Sequence, residues 1–309
     1  MNRTVTIIIP TYKPGQMFVR LVKQIEEQTY LVEKILVINT DKSSWSSVLD
    51  NLSDKMEVVH IRKEEFDHGG TRDMAARMVD TDVMIYLTQD VALPEKEAFA
   101  EMMKFFDRQE VKAVYARQLP QKGCKVIESY TRSFNYPDKS QIKSKADVAK
   151  LGIKTYFCSN VCAAYDCQTY LQQGGFTKKT IFNEDMIYAG KLIQAGYRIA
   201  YAARARVVHS HNYSNMEQLK RNFDLAVSQV NHPEVFAGFK SEGEGIKLVK
   251  KTAKYLLDIH RPWLIGSLLF TSLFKYKGYW LGKHYRKLPR KLIMKLTMNK
   301  EFWEDFTVS

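Results

Sequence analysis

The sequence predicts an α/β fold: a mostly parallel sheet covered by helices, followed by a basic helical appendage. Three observations predict it. Short β-branched runs alternate with helical stretches over the first 230 residues. Polar, turn-forming clusters follow four of those runs. The charge is also confined to one end. Of 47 basic and 34 acidic residues, 14 and 1 fall in 247–300, which leaves 33 of each elsewhere and makes that segment the whole source of the +13 net charge. A break in pattern near 233–246, carried by "HPEVFAGFKSEGEG" (232–245), sets the expected division: residues 1–232 as one domain and 233–309 as a helical C-terminal region.

Each element has its own reason. "VTIII" (5–9) is a β-branched run that stops at Pro10. Phe18, Leu21, Val22 and Ile25 recur at helical spacing within 16–29. "KILVI" (34–38), "EVVHI" (57–61), "VMIYLT" (83–88) and "VKAVYAR" (111–117) read as further strands. Helices are expected over 71–80, opening at Thr71 or Arg72, and over 95–106. "FNEDMIYAGKLIQAGY" (182–197) predicts a helix with Glu184 and Asp185 at its start and Gly196 at its end. "RVVHSHN" (206–212) reads as a strand, which would put His209 and His211 on one face. Residues 118–155 are rich in Lys, Gln and Ser and are expected to form either a closing loop or an inert insertion.

Several function classes lose ground at once. No GxGxxG or Walker pattern is present, which weakens dinucleotide and P-loop readings. The four cysteines follow no disulfide or zinc spacing and are expected to be reduced thiols. The five-residue apolar run near the N-terminus is too short for a signal peptide. In a parallel α/β sheet, ligands sit at the carboxyl ends of the strands. Four segments occupy those ends: "PTYKPG" (10–15), "NTDKSS" (39–44), "EEFDHGGTRD" (64–73) and "QDVALP" (89–94).

Those segments, with "TRDMAARM", "YLTQDVALP" and "FNEDMIYAGKLIQAGYRIAY", occur in the order seen in family 2 glycosyltransferases of the GT-A fold. "FDHGGTR", "LTQDVALP" and "VVHSHNYS" resemble the bacterial rhamnosyltransferase branch. The resemblance spans roughly residues 4–215. It implies a Rossmann-like, mostly parallel mixed sheet and inverting transfer of a sugar from a nucleotide donor. By resemblance the sugar is L-rhamnose from dTDP-rhamnose. The acceptor is a lipid-linked or growing cell-surface polysaccharide. A UDP-hexose donor is the alternative within the class, and a non-catalytic nucleotide-sugar binding protein is the alternative outside it.

The resemblance also distributes roles. Thr11, Tyr12, Asn39 and Asp41 fall on the base-binding strand ends, with Asn39 where the family usually has Asp. An amide can still donate and accept at a base edge. His68 and Arg72 join the donor set. A guanidinium at a helix start suits a diphosphate, although Arg72 could instead pair with Asp67 or Asp73. The family's acidic metal motif falls on "TQD" (88–90), keeping Asp90 as ligand and leaving Gln89 for the ribose or sugar. Asp90 could otherwise be a turn residue before Pro94. His209 and His211 are candidates to complete a Mg²⁺ or Mn²⁺ site, or to be structural, and imidazole favours Mn²⁺. Asp185 is implied as general base, with Glu184, Ser159 and Asn160 on the acceptor side.

The basic end holds twelve uncharged residues, "WLIGSLLFTSLF" (263–274), too few to span a bilayer, followed by aromatics interleaved with Lys and Arg. That composition suits a helix lying on an anionic membrane through residues 247–300. The expected location is therefore the cytoplasmic side, peripheral on the inner face of the cell membrane. Packing on the domain or a dimer contact is the other reading of the apolar run. The charge balance of residues 1–246 disfavours nucleic acid as a partner.

Overall fold

The computed structural model describes residues 3–239 and 242–304. Eight strands form one sheet: β1 (Val5–Tyr12), β2 (Lys34–Thr40), β3 (Met56–Ile61), β4 (Val83–Leu87), β5 (Val111–Leu119), β6 (Gln141–Lys143), β7 (Cys162–Asp166) and β8 (Arg198–Val208). Their order is β3-β2-β1-β4-β7-β5-β8-β6. The β1, β2, β3 and β4 pairings are parallel, as is β5 with β8. β7 runs antiparallel between β4 and β5, and β6 antiparallel on the far edge. The sheet is therefore mixed and mostly parallel, as the apolar runs predict. Ile7, Ile8, Ile9, Val37, Ile38 and Ile85 are fully buried, because a crossover sheet is covered on both faces.

The chain divides into two compact units. The first holds residues 1–121, 136–178 and 184–210, and therefore the whole sheet. The second holds 122–135, 179–183 and 211–309. This division differs from the expected boundary at 232. The helix Asn215–Asn231 turns its apolar residues Leu219, Phe223 and Val227 into the core of the second unit, beside Tyr285, Ile293 and Trp303. Within the expected boundary segment, residues 240 and 241 lie outside the described residues.

Two local expectations are corrected. The helix predicted to open at Thr71 or Arg72 opens at His68. Asp67 caps it by accepting from Gly70 N at 2.6 Å. A Cβ at Gly70 would run into that same carboxylate, so this glycine serves the cap. The strand predicted over 206–212 stops at Val208, leaving His209 and His211 beyond it. Segment 118–155 contains a helix (Val126–Asn135), strand β6 and short helical turns. Within the first unit, buried Lys143 anchors it by donating to the carbonyls of Lys154 and Phe157. All four cysteines are free thiols, three of them buried.

The second unit is helical. Helix Leu264–Lys283 lies against Asn215–Asn231 through two glycines. A Cβ at Gly278 would overlap the carbonyl of Leu219, and one at Gly282 the carbonyl of Phe223. Its other face leaves Leu269, Phe270, Leu273, Tyr276 and Trp280 more than half exposed. Among the described residues, no helix is long and apolar enough to cross a membrane. On the inner side, Asp224 is buried and accepts from Thr297 Oγ1 at 2.7 Å and Met298 N at 2.8 Å. Burial pushes its carboxyl up to about 7, against those hydrogen bonds.

Candidate functional site

The strand ends marked in the sequence meet in the first unit. Since β3, β2, β1 and β4 are consecutive and parallel, their carboxyl ends line one edge of the sheet. In register across β1, β2 and β3 stand Thr11, Asn39 and His60. Thr11 Oγ1 donates to Asn39 Oδ1 at 3.1 Å. The Asn39 amide nitrogen bonds Asp41 O at 3.2 Å and His60 Nδ1 at 3.1 Å. Asn39 is fully buried, so its amide shapes its neighbours and offers no edge to a ligand. That corrects the expectation that it reads a base directly.

Asp41 sits at φ +67°, an uncommon conformation for a non-glycine residue, with its carbonyl accepting from the Asn39 amide and its N–H donating to Ile61 O at 2.8 Å. Ser43 donates to Asp41 Oδ1 from its N–H (3.1 Å) and hydroxyl (2.6 Å), and these bonds hold the carboxyl below its usual range. Asp41 and His60 both line a cavity of about 570 Å³. On β1, the Tyr12 ring is exposed with Lys13 Nζ 5.1 Å from its centroid. Gln89 clamps the Tyr12 backbone, accepting from its N–H at 3.0 Å and donating to its carbonyl at 2.9 Å. Each amide atom keeps a second hydrogen-bonding position, so this clamp is compatible with the expected contact to ribose or sugar.

The His68 helix and the Glu184 helix supply a charged group. Arg72 is largely buried; Nη1 donates to His68 O at 2.9 Å and lies 3.4 Å from Glu184 Oε1. Its partner is therefore Glu184, neither Asp67 nor Asp73. Fully buried Asp73 is pinned by Arg77, Tyr170 and Lys178. His68 is half-buried, its ring edge-on to Phe66.

Asn160 holds both carboxylates of the second helix start. Its side chain donates to Glu184 Oε1 at 3.3 Å, and its backbone N–H donates to Asp185 Oδ2 at 3.0 Å. Tyr165 fixes the amide by donating to Asn160 Oδ1 at 2.8 Å. Met186 N donates to Asp185 Oδ1 at 2.8 Å. Burial is the largest influence on Glu184 and would raise it, but Arg72, His68 and the hydrogen bonds to its carboxylate together hold it below the usual carboxylate range. Asp185 goes the other way: burial first, then the Glu184 anion, push it up to about 7. It stays partly exposed, so a hydroxyl can reach it. A carboxylate that releases its proton near neutral pH is suited to taking one from an alcohol. Ser159, next to Asn160, accepts from Gln118 Nε2 at 2.9 Å.

Past β8, His209 Nε2 lies 3.5 Å from Asp90 Oδ2 in the first unit. A carboxylate oxygen and an imidazole nitrogen at this spacing can share a divalent ion of the Mn²⁺ type. His211 follows two residues later and begins the 211–309 stretch of the second unit. Two features escaped the sequence reading: His60 as a member of the strand-end row, and Asn160 as a bridge between Glu184 and Asp185. The position of His60 at the end of an apolar run was the available signal for the first. Nothing local signals the second.

Residues 6–171 match the model of Glycosyl transferase family 2. The chain is 39% identical over 307 residues to the O-antigen chain rhamnosyltransferase RfbN of Salmonella typhimurium, covering 99% of this chain and 98% of that one. It is 37% identical over 311 residues to the O-antigen chain rhamnosyltransferase WbaN of Salmonella anatum, covering 98% and 97%. Among solved structures it resembles the mannosyltransferase PcManGT of Pyrobaculum calidifontis, in complex with GDP-Man and Mn²⁺, with TM-score 0.58 and 15% identity over 99% of this chain and 89% of that one. It also resembles S. aureus TarS 1–349 in complex with UDP-GlcNAc, with TM-score 0.53 and 14% identity over 92% of each. At these identities the structural likeness establishes the fold, GT-A, and nothing finer.

Proposed function

The chain belongs to glycosyl transferase family 2, and from that premise we propose that it transfers L-rhamnose from dTDP-rhamnose onto a growing, lipid-linked O-antigen-type polysaccharide, with inversion. One observation carries this reading: two relatives at 39% and 37% identity, matched along almost their whole length, are O-antigen chain rhamnosyltransferases.

The geometry supports a one-step displacement. The acceptor hydroxyl oxygen forms a bond to the anomeric carbon as the bond from that carbon to the diphosphate oxygen breaks. Asp185 takes the hydroxyl proton, and the nucleoside diphosphate leaves with the electron pair. Asn160 aims Asp185, and the Glu184 anion beside it keeps it basic enough for the task. The Arg72 guanidinium lies at the same charged group, where it counters negative charge developing on the leaving diphosphate. Tyr12 and Asp41 hold the nucleoside end of the donor, with Thr11 behind them. Ser159 and Glu184 flank the acceptor side.

Asp90 and His209 are the residues to hold Mg²⁺ or Mn²⁺. Their mixed oxygen and nitrogen donors fit Mn²⁺ better. A bound divalent ion neutralises diphosphate charge.

The C-terminal region, residues 233–309, is the membrane-facing part of this reading. Leu269, Phe270, Leu273, Tyr276 and Trp280 form an exposed apolar and aromatic stripe, within a segment carrying fourteen basic residues. The enzyme then works peripherally on the cytoplasmic face of the membrane that carries its acceptor. Replacing Leu273 and Trp280 by Glu should cut binding to anionic phosphatidylglycerol vesicles by tenfold or more. Equal binding would remove the membrane from the reading.

The deciding experiment is nucleotide release with Mn²⁺ from dTDP-rhamnose, UDP-glucose, UDP-galactose, UDP-N-acetylglucosamine and GDP-mannose in turn. The expected result is metal-dependent release from dTDP-rhamnose, absent in Asp90→Ala. Release from a UDP-hexose instead would overturn the donor. Binding with no release from any donor, even when lipid-linked glycan is supplied, would support a non-catalytic binding protein.

A further inference from the structure

We propose that His60 reads the nucleobase of the donor, giving its Nε2–H to a carbonyl of a uracil or thymine ring while Asp41 accepts the neighbouring N3–H. The proposal rests on the nucleotide-donor reading above and adds the residues that choose the base.

The tautomer of His60 follows from its neighbours. The amide nitrogen of Asn39 bonds the carbonyl oxygen of Asp41, and a carbonyl can only accept. That bond fixes which way round the Asn39 amide lies. The same nitrogen faces His60 Nδ1 at 3.1 Å, so its second hydrogen points at that ring atom. Nδ1 is therefore the acceptor, and the ring proton is on Nε2. Thr11 completes the lock by donating to the amide oxygen. Trp45 holds the ring edge-on, with centroids 5.7 Å apart. Among the described residues, nothing accepts from Nε2.

This donor stands at the cavity that Asp41 also lines. The two Ser43 hydrogen bonds fall on Asp41 Oδ1, which leaves Oδ2 to accept from a ligand. An acceptor and a donor lining one cavity match the N3–H and carbonyl of uracil or thymine. Cytosine offers a bare N3 to the carboxylate and is mismatched. With Asp in place of Asn39, the group facing Nδ1 would be an acceptor, and the Nδ1 proton would face it instead. Asn39 is thus a positioning residue: it sets what His60 can offer without touching the base.

Calorimetric affinities of the full chain in Mn²⁺ test this, with UDP, dTDP, CDP, GDP and ribose 5-diphosphate as ligands. His60→Phe should weaken UDP and dTDP roughly threefold to tenfold, as expected for one lost hydrogen bond, and leave ribose 5-diphosphate unchanged. Wild type should bind CDP more weakly than UDP. It should also lose affinity for one of 2-thio-UDP and 4-thio-UDP, a penalty that His60→Phe abolishes. No loss in His60→Phe, or an equal loss for ribose 5-diphosphate, overturns the role of His60 while the donor reading survives. Tighter binding of CDP or GDP than of UDP overturns the pairing with Asp41. If wild type binds none of the five, the donor reading falls and takes this one with it. Nitrogen NMR of the wild-type imidazole needs no variant. It should show Nε2 protonated and Nδ1 bare, with Nε2 moving on UDP addition but not on ribose 5-diphosphate addition. A proton on Nδ1 overturns the proposal.

Discussion

Asp185 and Asp224 are two aspartates of the same chain, each pushed up to about 7 by burial, in different units. Their company separates them. Asp185 stands at a helix start beside a second carboxylate, a guanidinium and a bridging amide, and keeps some exposure. Asp224 is sealed within a helix and hydrogen-bonded to a hydroxyl and a backbone N–H of the C-terminal segment, with Arg221 and Lys220 acting on it only through their charge and no second carboxylate beside it among the described residues. A perturbed carboxyl is therefore a poor marker of a site by itself. What marks one is perturbation together with charged neighbours and an approach for another molecule.

The largest expected effect separates the pair outright. Asp185→Asn should lower the turnover of sugar transfer by about a hundredfold to ten-thousandfold, while calorimetry shows donor-nucleotide affinity nearly unchanged. Asp224→Asn should leave turnover alone. Loss of transfer in Asp224→Asn, or its survival in Asp185→Asn, would break the distinction.

The second expectation joins them. Each native carboxyl keeps its proton to about pH 7, whereas an unfolded aspartate releases it near 4. Between those values the native state binds more protons, so unfolding free energy falls as pH rises. Denaturant titrations at pH 5 and pH 8 should show each Asp→Asn variant flattening that slope, by on the order of 2 kcal/mol per site. A slope unchanged in Asp224→Asn would mean its carboxyl is already ionised at pH 5.

Third, transfer by wild type should rise with pH through about 7 as Asp185 loses its proton. Glu184→Gln removes the neighbouring anion, so this limb should move to lower pH, by on the order of one unit. An unmoved limb would assign the titration to another group. The smallest effect is structural. Thr297→Val removes one donor to Asp224 and should cost about 1 kcal/mol in thermal or denaturant unfolding, with turnover unaffected.

Much of this was legible in the chain. The five strand runs lie where their β-branched composition puts them, since a sheet buried on both faces needs uninterrupted apolar residues. The start of the Glu184 helix was legible from its acids and periodicity. The rest depends on what lies across the strands. Nothing local to Gln89 tells that, with β4 set beside β1, its amide meets the Tyr12 backbone. Asn39 reads as a substituted base contact until β3 brings up His60. The start at His68 was hidden because Gly-Gly is a loop signal, and only the Asp67 cap turns it into a first turn of helix. His209 falls beyond β8 because pairing with β5 stops at Val208, which no residue in "RVVHSHN" announces.

Gly278 and Gly282 have a consequence of their own. Two hydrogen atoms in place of side chains let the Leu264 helix rest directly on the carbonyls of Leu219 and Phe223. A helix seated backbone to backbone has one azimuth: turned by one residue it would present a side chain where only hydrogen fits. The glycines therefore act as a keyway that aims Leu273 and Trp280 away from the Asn215 helix. A larger residue at either glycine would turn the aromatic stripe toward a new heading before it cost the helix its fold.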